Sequence, residues 1–267
     1  MHELSANKLG EIYSYLANDL KHKKTTIQKL ITDLISVGKF ATLRGSELGT
    51  HFLLYKVPTE TKAQKAKESL KPVVLTENEI DAIYNLELTK PYLINTRKWM
   101  LLAIYTAQRG SDALRTIKNE NFKLIDDKLH IELTQSKVGH HMNIPALKRV
   151  KEIYESGEMP HAISLSNFNK YIKEVCKEAG IVDEITHEKS IYSIVKDKKV
   201  KRKKIVTLPK YEFIASHTFR RTFCTVYYQK GMKVREIMKI SGHKTERVFL
   251  KYIGETDVDY SAWADEL

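Results

Sequence analysis

Three observations predict a mainly α-helical protein with a small β-sheet, an α+β fold. Apolar residues recur at helical spacing in residues 7–20 and 25–43 and again near the C-terminus. Residues 128–133 alternate apolar and polar side chains as a half-buried strand does, and residues 141–145 are the expected return strand. Hydrophobic residues make up 42% of the 267-residue chain, which is enough to build a sizeable core.

The chain is expected to fold as two unequal parts. Residues 1–71 comprise the two N-terminal helical stretches, a short apolar run and a polar, lysine-rich connector. Residues 72–267 form the second part, which opens with Thr76 three residues before Glu79, the spacing of a helix capping box. This second part is long enough for a hydrophobic core of its own.

The first candidate site residues follow a strongly apolar run at residues 99–105. Arg109 and Asp112 come soon after that run, so Arg109 is expected at the end of a buried helix, near a turn, where its surroundings can aim the guanidinium. Lys137 lies between the two predicted strands, on the tip of a hairpin. From such a tip a lysine can reach into DNA and donate a proton.

Residues 216–231 are predicted to form a helix with two distinct faces. Ser216 is a suitable N-cap, and His217 and Arg220, three residues apart, share one face. The opposite stripe of the helix is apolar and is expected to face the core; it consists of Phe219, Phe223 and Val226.

Two shorter helices are expected after it. Residues 234–240 are amphipathic and stop at Gly242, which suits a left-handed C-cap and places His243 just past a helix end. Thr245 can cap a last helix that carries Tyr252.

Together these residue types can attack a phosphodiester. A tyrosine hydroxyl becomes linked to phosphorus if its proton is removed and if fixed cationic or hydrogen-bonding groups hold the charge of the phosphorane. Tyr252 is the candidate nucleophile, and Arg220, His217 and His243 are candidate holders of that charge. Arg109 would add a second planar fork for the same phosphate. On its own, each of these residue types is more common on a solvent-exposed surface or in a packed core. The prediction therefore depends on their occurring together in one chain.

The pattern resembles the catalytic signature of the tyrosine recombinases, the phage-integrase family, and especially integrases of bacterial mobile elements. The separations from arginine to histidine to tyrosine in the C-terminal part are also similar to those of the family, and the likeness spans about residues 75–254. It implies catalytic roles for Arg109, Lys137, His217, Arg220, His243 and Tyr252.

Three positions depart from the family pattern. Ala107 stands where glycine is usual, Asp112 where glutamate is usual, and Val138 where threonine is usual. Asp112 still offers a carboxylate, so its implied role of orienting neighbouring groups is kept.

The resemblance implies a site-specific recombinase or integrase acting on double-stranded DNA. Tyr252 would form a 3′-phosphotyrosyl link and release a 5′-hydroxyl, while His217 assists removal of the tyrosine proton and Lys137 protonates the leaving oxygen. No metal ion, ATP or other cofactor is implied. In such enzymes a helical core-binding domain precedes the catalytic domain and closes around the other face of the duplex. Only about 60 residues stand in that place here, which resembles the second half of such a domain.

Family members act as four protomers on two duplexes, so a homotetramer on DNA is implied. The C-terminal segment, residues 253–267, is acidic with a few large apolar residues and is the expected link between protomers. Packing of this tail within its own subunit is the alternative. A DNA-bending accessory protein is a further expected partner.

The composition independently suits a DNA-binding protein. The formal net charge is +12 and the pI is about 9.4, which fits a polyanionic partner, although RNA or a membrane surface would fit the charge as well. No stretch approaches the ~20 apolar residues of a membrane-spanning helix. Cys176 and Cys224 do not make a disulfide framework, and no Cys/His cluster has zinc spacing. The expected location is the bacterial cytoplasm, in association with the nucleoid.

Residues 196–204, the basic segment, lie between two β-prone stretches. Like charges at this density repel one another unless a polyanion is near, so the segment is predicted to follow DNA phosphates without reading bases. A solvated hairpin tip is the alternative. The candidate DNA-binding residues are Lys196, Lys198, Lys199, Lys201, Arg202, Lys203 and Lys204.

Other functions stay open at this point. A type IB topoisomerase-like enzyme or a resolvase uses nearly the same residues and differs in whether two duplexes are joined. A DNA-binding accessory or regulatory protein can keep the fold with little activity, although it would not need Tyr252. A basic RNA-binding module has less support, because no RRM or KH signature is present.

Overall fold

The computed structural model describes residues 4–46, 50–59, 70–134, 139, 141–195 and 198–255. The chain divides into two compact units. One unit comprises Met1–Leu70 with Ile191–Arg202, and the other comprises Lys71–Ser190 with Lys203–Leu267.

The N-terminal unit is built on two helices, α1 (Ala6–Ser14) and α2 (Lys24–Leu43), as the apolar periodicity predicts. Ser5 caps α1 by accepting a hydrogen bond from the backbone N–H of Lys8. A π-helical turn, Tyr15–Asp19, extends α1, and a 3-10 helix, Thr50–Leu54, follows α2. The small core of this unit consists of Leu9, Ile27, Ile31 and Phe52.

The second unit is mainly helical. Its helices are α3 (Glu77–Asn85), α4 (Pro91–Thr106), α5 (Gly110–Thr116), α6 (Lys148–Glu155), α7 (Leu165–Glu178), α8 (Ser216–Gln229), α9 (Val234–Ser241) and α10 (Glu246–Ile253). Most of α4 is buried, because its sequence is apolar on nearly all sides. The capping box before α3 is confirmed: Thr76 Oγ1 accepts from the N–H of Glu79, and a Glu79 carboxylate oxygen accepts from the N–H of Thr76.

The strands of the described residues form a three-stranded antiparallel sheet and a two-stranded sheet. The predicted hairpin is confirmed as β2 (Lys128–Thr134) and β3 (His141–Pro145), which pair in antiparallel register. A third strand that the sequence did not predict, β1 (Phe122–Ile125), pairs with β2 on its other side.

The second sheet has two strands, β4 (Glu184–Val195) and β5 (Lys198–Pro209). The prediction placed the whole basic segment between the strands, and this is wrong, since residues 198–204 lie within β5.

Boundaries of the C-terminal helices are largely as predicted. Gly242 ends α9 in the left-handed conformation with φ of 69°, and Thr245 caps α10. The prediction that Ser216 is the N-cap of α8 is wrong by one residue, because Ala215 is the N-cap and Ser216 is the first helical residue. The backbone N–H of Ser216 is satisfied instead by Asn169 Oδ1, at 2.8 Å.

Candidate active site

The site is organised by a turn at residues 107–110, which joins α4 to α5. Ala107 ends α4 in the left-handed region, with φ of 52°, a conformation that glycine adopts more readily than alanine. The buried Gln108 side chain donates a hydrogen bond to the carbonyl of Ile240 near the end of α9, at 3.1 Å. Gly110 lies so close to α8 that a Cβ at this position would be 2.4 Å from the Cβ of Ser216. The turn is thus fixed against two helices of the C-terminal part.

Arg220 and Arg109 meet at this turn. Arg220 is only 3% exposed, and its Nη1 donates to the carbonyl oxygen of Ala107 at 3.0 Å. Burial lowers the pKa of Arg220, and the nearby Arg109 contributes to the decrease. The Arg109 side chain is 33% exposed, and its Nη1 lies 3.5 Å from Oδ2 of the buried Asp112. Two guanidinium groups held close together form a site for an anion.

Tyr252 lies on α10, with its hydroxyl oxygen 3.3 Å from Nε2 of His217. Burial raises the pKa of Tyr252 to about 12, while Arg220 and Arg221 oppose this increase. The His217 ring meets the tyrosine ring edge-on, with 5.5 Å between centroids. Removal of water and the positive charges of Arg221, Arg220 and Arg109 lower the pKa of His217 below its usual value. A neutral His217 can accept the tyrosine proton.

His243 follows the C-cap of α9 and faces the same tyrosine, with 4.8 Å between the ring centroids. Its Nδ1 lies 2.7 Å from Ser241 Oγ. The Ser241 hydroxyl donates to the carbonyl of Ile237, so it accepts from Nδ1–H of His243 and leaves Nε2 for another partner. Burial, followed by the charges of Arg220 and Arg109, lowers the pKa of His243 to about 4.

The structure brings five of the six predicted catalytic residues together in the second unit. We call the following group the catalytic cluster: Arg109, His217, Arg220, His243 and Tyr252. Asp112 lies beside Arg109, as expected from their spacing. Lys137 and Val138 lie outside the described residues.

Sequence reasoning missed three residues of the site. Gln108 and Ser241 fix the turn and His243, respectively, but their side-chain types alone carry no signal of that role. The guanidinium carbon of Arg221 lies 4.8 Å from the ring centroid of Tyr252. Its position next to Arg220 on a helix was the one available signal, and it does not reveal which group the side chain reaches.

The basic segment is engaged with the protein in two places. Arg202 donates to the carbonyl of Leu20, and its Nη1 lies 3.0 Å from Nδ1 of His22. Lys203 Nζ is 2.6 Å from a Glu188 carboxylate oxygen. Lys204 is exposed. Lys198, Lys199 and Lys201 belong to β5, whereas Lys196 lies outside the described residues.

Neither a metal-binding cluster nor a membrane helix is found in the part of the chain that the structure describes. Within that part, no group of three or more His, Cys, Asp or Glu residues is arranged to hold a metal ion. None of its helices is both long and apolar enough to cross a membrane. Cys176 and Cys224 are free and buried.

The fold and the site together define the catalytic domain of a tyrosine recombinase. Residues 73–257 match the model of the phage integrase family, and the chain belongs to that family. A probable integrase/recombinase of Bacillus subtilis (strain 168), YoeC, is 26% identical over 180 residues, which cover 66% of this chain and 88% of the relative.

Solved structures of recombinases share the fold. A XerH site-specific recombinase bound to palindromic difH substrate superposes with a TM-score of 0.67 at 13% identity, covering 98% of this chain and 70% of the other. A lambda integrase (residues 75–356) dimer bound to a COC′ core site has a TM-score of 0.63 at 15% identity, covering 98% and 83% of the two chains. The Tn1549 transposon integrase in complex with circular intermediate DNA has a TM-score of 0.60 at 16% identity, covering 100% and 86%.

Proposed function

We propose that this recombinase cleaves and rejoins double-stranded DNA through a 3′-phosphotyrosyl intermediate on Tyr252, without a metal ion or ATP. The observation that carries the proposal is the position of the Tyr252 hydroxyl, 3.3 Å from His217 Nε2 and beside the buried guanidinium of Arg220. A general base and a fixed cation at a nucleophilic hydroxyl are the groups that phosphoryl transfer needs.

In the first step, the Tyr252 oxygen attacks the scissile phosphorus and its proton passes to His217. The bond between phosphorus and the 5′-oxygen breaks, and Lys137 protonates the leaving 5′-oxygen. Arg109, Arg220 and His243 stabilise the charge of the pentavalent transition state. In the second step, a 5′-hydroxyl gives its proton to Lys137 and attacks the phosphotyrosine, the bond to Tyr252 breaks, and the tyrosine oxygen takes the proton back from His217. One phosphodiester is formed for each one broken, so no external energy source is required.

The electrostatics of the free site suit this sequence of events. His217 is neutral near pH 7 because its pKa is lowered by desolvation and by the neighbouring arginines. The tyrosine keeps its proton in the free protein, since burial raises its pKa to about 12. A bound phosphate adds negative charge, which favours a protonated, donating His243 and partly neutralises the arginines. The arginines supply the charge stabilisation that a metal ion supplies in other phosphoryl-transfer enzymes.

We further propose that residues 1–71 and the basic segment hold the duplex while residues 72–267 perform the chemistry. The helical N-terminal unit would act as a partial clamp, and lysines of β5 would contact phosphates. The net charge of +12 supports a polyanionic partner. Arg202 and Lys203 contribute mainly to the local electrostatic field, since both already have protein partners. Such a protein would associate with the bacterial nucleoid.

Assembly on DNA is proposed to involve four protomers linked by the acidic C-terminal tail, with a DNA-bending protein as an additional partner. The tail combines Tyr260, Trp263 and Leu267 with four acidic residues at positions 257, 259, 265 and 266, a composition suited to docking on a basic protein. Truncation after Glu255 should then leave DNA binding by single protomers intact and remove the tetrameric complex, measured by analytical ultracentrifugation with duplex DNA.

The decisive test is covalent trapping. The protein and its Tyr252→Phe variant are incubated in EDTA with DNA that carries candidate sites and a nick near the expected cleavage point, and the products are resolved on denaturing gels. A protease-sensitive, slowly migrating DNA band that requires Tyr252 is the expected result. Absence of such a band on every tightly bound DNA would favour the alternative, a DNA-binding accessory protein. Relaxation of one duplex without joining of two would favour a topoisomerase-like enzyme.

A further inference from the structure

Arg221 makes a contact that the reaction scheme does not use. It follows Arg220 on α8, and its guanidinium carbon lies 4.8 Å from the centroid of the Tyr252 ring. A cation at this distance from an aromatic face is attracted by the electron density of the ring. The two adjacent arginines therefore act on different parts of one tyrosine, Arg220 near the hydroxyl and Arg221 on the ring.

The surroundings of Arg221 direct its charge toward the tyrosine. Among the residues that the structure describes, no carboxylate lies within ion-pair distance of Arg221. Its buried Nε has no hydrogen-bond partner in that part of the chain. Glu212, which lines the same cleft, already forms ion pairs with Lys173 and Lys189 at 2.8 Å and 2.6 Å. Within the described residues Arg221 thus forms no ion pair, and the two carboxylates that line one cleft with it, Glu188 and Glu212, are bonded to lysines.

We infer that Arg221 is a positioning residue for Tyr252, which holds the ring in its attacking orientation and stabilises the tyrosinate form through a cation–π contact. Loss of the phenolic proton increases the electron density of the ring, so the contact strengthens as the nucleophile is activated. The same cation disfavours protonation of His217, which keeps that base ready to accept the proton. This inference rests on the proposed phosphotyrosyl chemistry.

The test combines Arg221→Met and Arg221→Lys with the covalent-trapping assay at saturating DNA, between pH 6 and 10. Arg221→Met should lower the rate of covalent-complex formation by roughly 3- to 30-fold near pH 7, the range of a partly desolvated cation–π contact. The defect should shrink as pH rises from 6, because loss of the cation raises the pKa of His217 and leaves more of this base protonated at the lower pH. Arg221→Lys keeps the charge and should recover most of the activity. Arg247→Met, which removes an exposed arginine from the helix that carries Tyr252, is the matched control and should leave the profile unchanged.

Two outcomes would overturn the inference. Weaker DNA binding with an unchanged rate at saturation would make Arg221 a phosphate contact. A defect of equal size at every pH, accompanied by a lower melting temperature, would make its role structural. If Arg221→Met does not fold, Arg221→Gln takes its place.

A titration independent of activity separates this inference from the proposed function. 3-Fluorotyrosine incorporated at position 252 reports ionisation of that ring by ¹⁹F NMR in the DNA-free protein. Its pKa should be higher in Arg221→Met and Arg221→Gln than in the parent, and an unchanged pKa would overturn the inference. A higher pKa in a protein that never traps DNA would support the contact and reject the phosphotyrosyl chemistry.

Discussion

The catalytic cluster and the basic segment both concentrate positive charge, but they do so in opposite ways. Arg220 is almost fully buried and is held by the carbonyl of Ala107 at 3.0 Å. Lys203 has a side chain that is 54% exposed and bonds to a surface glutamate. In the cluster, tertiary contacts fix the direction of each cation. In the basic segment, the proposed role depends on the density of charge along the chain.

The two arrangements suit the two different interactions with a phosphate backbone that we propose for these regions. Stabilising a transition state requires donors placed to within a fraction of an ångström, and a low-dielectric site increases their effect. Long-range attraction to DNA requires only charge near the surface, and salt screens it. Substitutions in the cluster should therefore change rates, and substitutions in the basic segment should change affinity.

The largest effect is expected for Arg220. Arg220→Ala should lower the rate of covalent-complex formation at saturating DNA by at least ~100-fold, the scale of losing one transition-state donor. Arg220→Lys should remain severely impaired, because an ammonium cannot reproduce a planar fork. Lys204→Ala, which removes an exposed cation of the basic segment, should leave that rate within a few-fold. Similar losses in Arg220→Ala and Lys204→Ala would remove the distinction between the two regions.

Neutralising the basic segment should produce the converse result. The variant with glutamine at positions 198, 199, 201 and 204 should bind all DNA sequences more weakly. The slope of the logarithm of its binding constant against the logarithm of salt concentration should become less steep by up to about 3–4, because each phosphate that is no longer neutralised removes about 0.9 from that slope. Binding is measured by fluorescence anisotropy at several salt concentrations. A control with glutamine in place of Lys118, Lys151, Lys177 and Lys230 removes the same charge from other exposed positions. An equal flattening in the control would show that only net charge matters.

Gly110 tests how far the cluster depends on close packing. Gly110→Ala places a methyl group where the Cβ of Ser216 already lies within 2.4 Å, so α5 and α8 must move apart. We expect a decrease of about 1–3 kcal/mol in the free energy of unfolding, the usual cost of overpacking, together with slower cleavage. Chemical denaturation followed by circular dichroism measures the first effect.

Two further variants decide whether the clash is the cause. Gly110→Ala combined with Ser216→Gly removes the opposing Cβ and should recover part of the stability, as a double-mutant cycle would show. Gly10→Ala, on α1 with the nearest atom 3.7 Å away, should be neutral or stabilising. A stability of Gly110→Ala equal to that of the parent would mean that the close approach is easily relaxed.

The smallest effect concerns the pH dependence of stability. The pKa of His243 is lowered to about 4 in the folded protein from the usual 6.5, so the unfolded chain binds the extra proton first as pH falls. The contribution of His243 to the free energy of unfolding is therefore fully present above pH 6.5. It is lost progressively between pH 6.5 and about 4, and it decreases no further at lower pH. His217 acts in the same direction.

His243→Gln should accordingly flatten the stability curve of the DNA-free protein between pH 6.5 and 4, as measured by denaturation at each pH. His130→Gln, a substitution on β2, serves as the control and should keep the slope of the parent. An unchanged slope in His243→Gln would show that burial of this ring does not oppose its protonation.

The sequence by itself determined the ends of several helices and the pairing of β2 with β3, although it missed β1 and the extent of β5. Local rules were sufficient for this, since the capping box at Thr76 and Glu79, the glycine C-cap at Gly242 and the Thr245 cap depend on neighbours within one helical turn. The strand alternation that predicts β2 and β3 is local in the same sense. The apolar stripe of α8 is buried as predicted, at Phe219, Phe223 and Val226, but Arg220 on the opposite face is buried as well.

Only the tertiary structure decided what each site residue touches. The contacts of Arg220 with Ala107, of Gln108 with Ile240 and of Gly110 with Ser216 join residues that are far apart in the chain. The N–H of Ser216, the first residue of α8, likewise bonds to the distant Asn169. No local pattern specifies such pairs, because a side chain of given type can meet any group that the packing brings within hydrogen-bond distance. For the same reason Arg220 and Arg221, neighbours in sequence, lie near the hydroxyl and the ring of Tyr252 respectively.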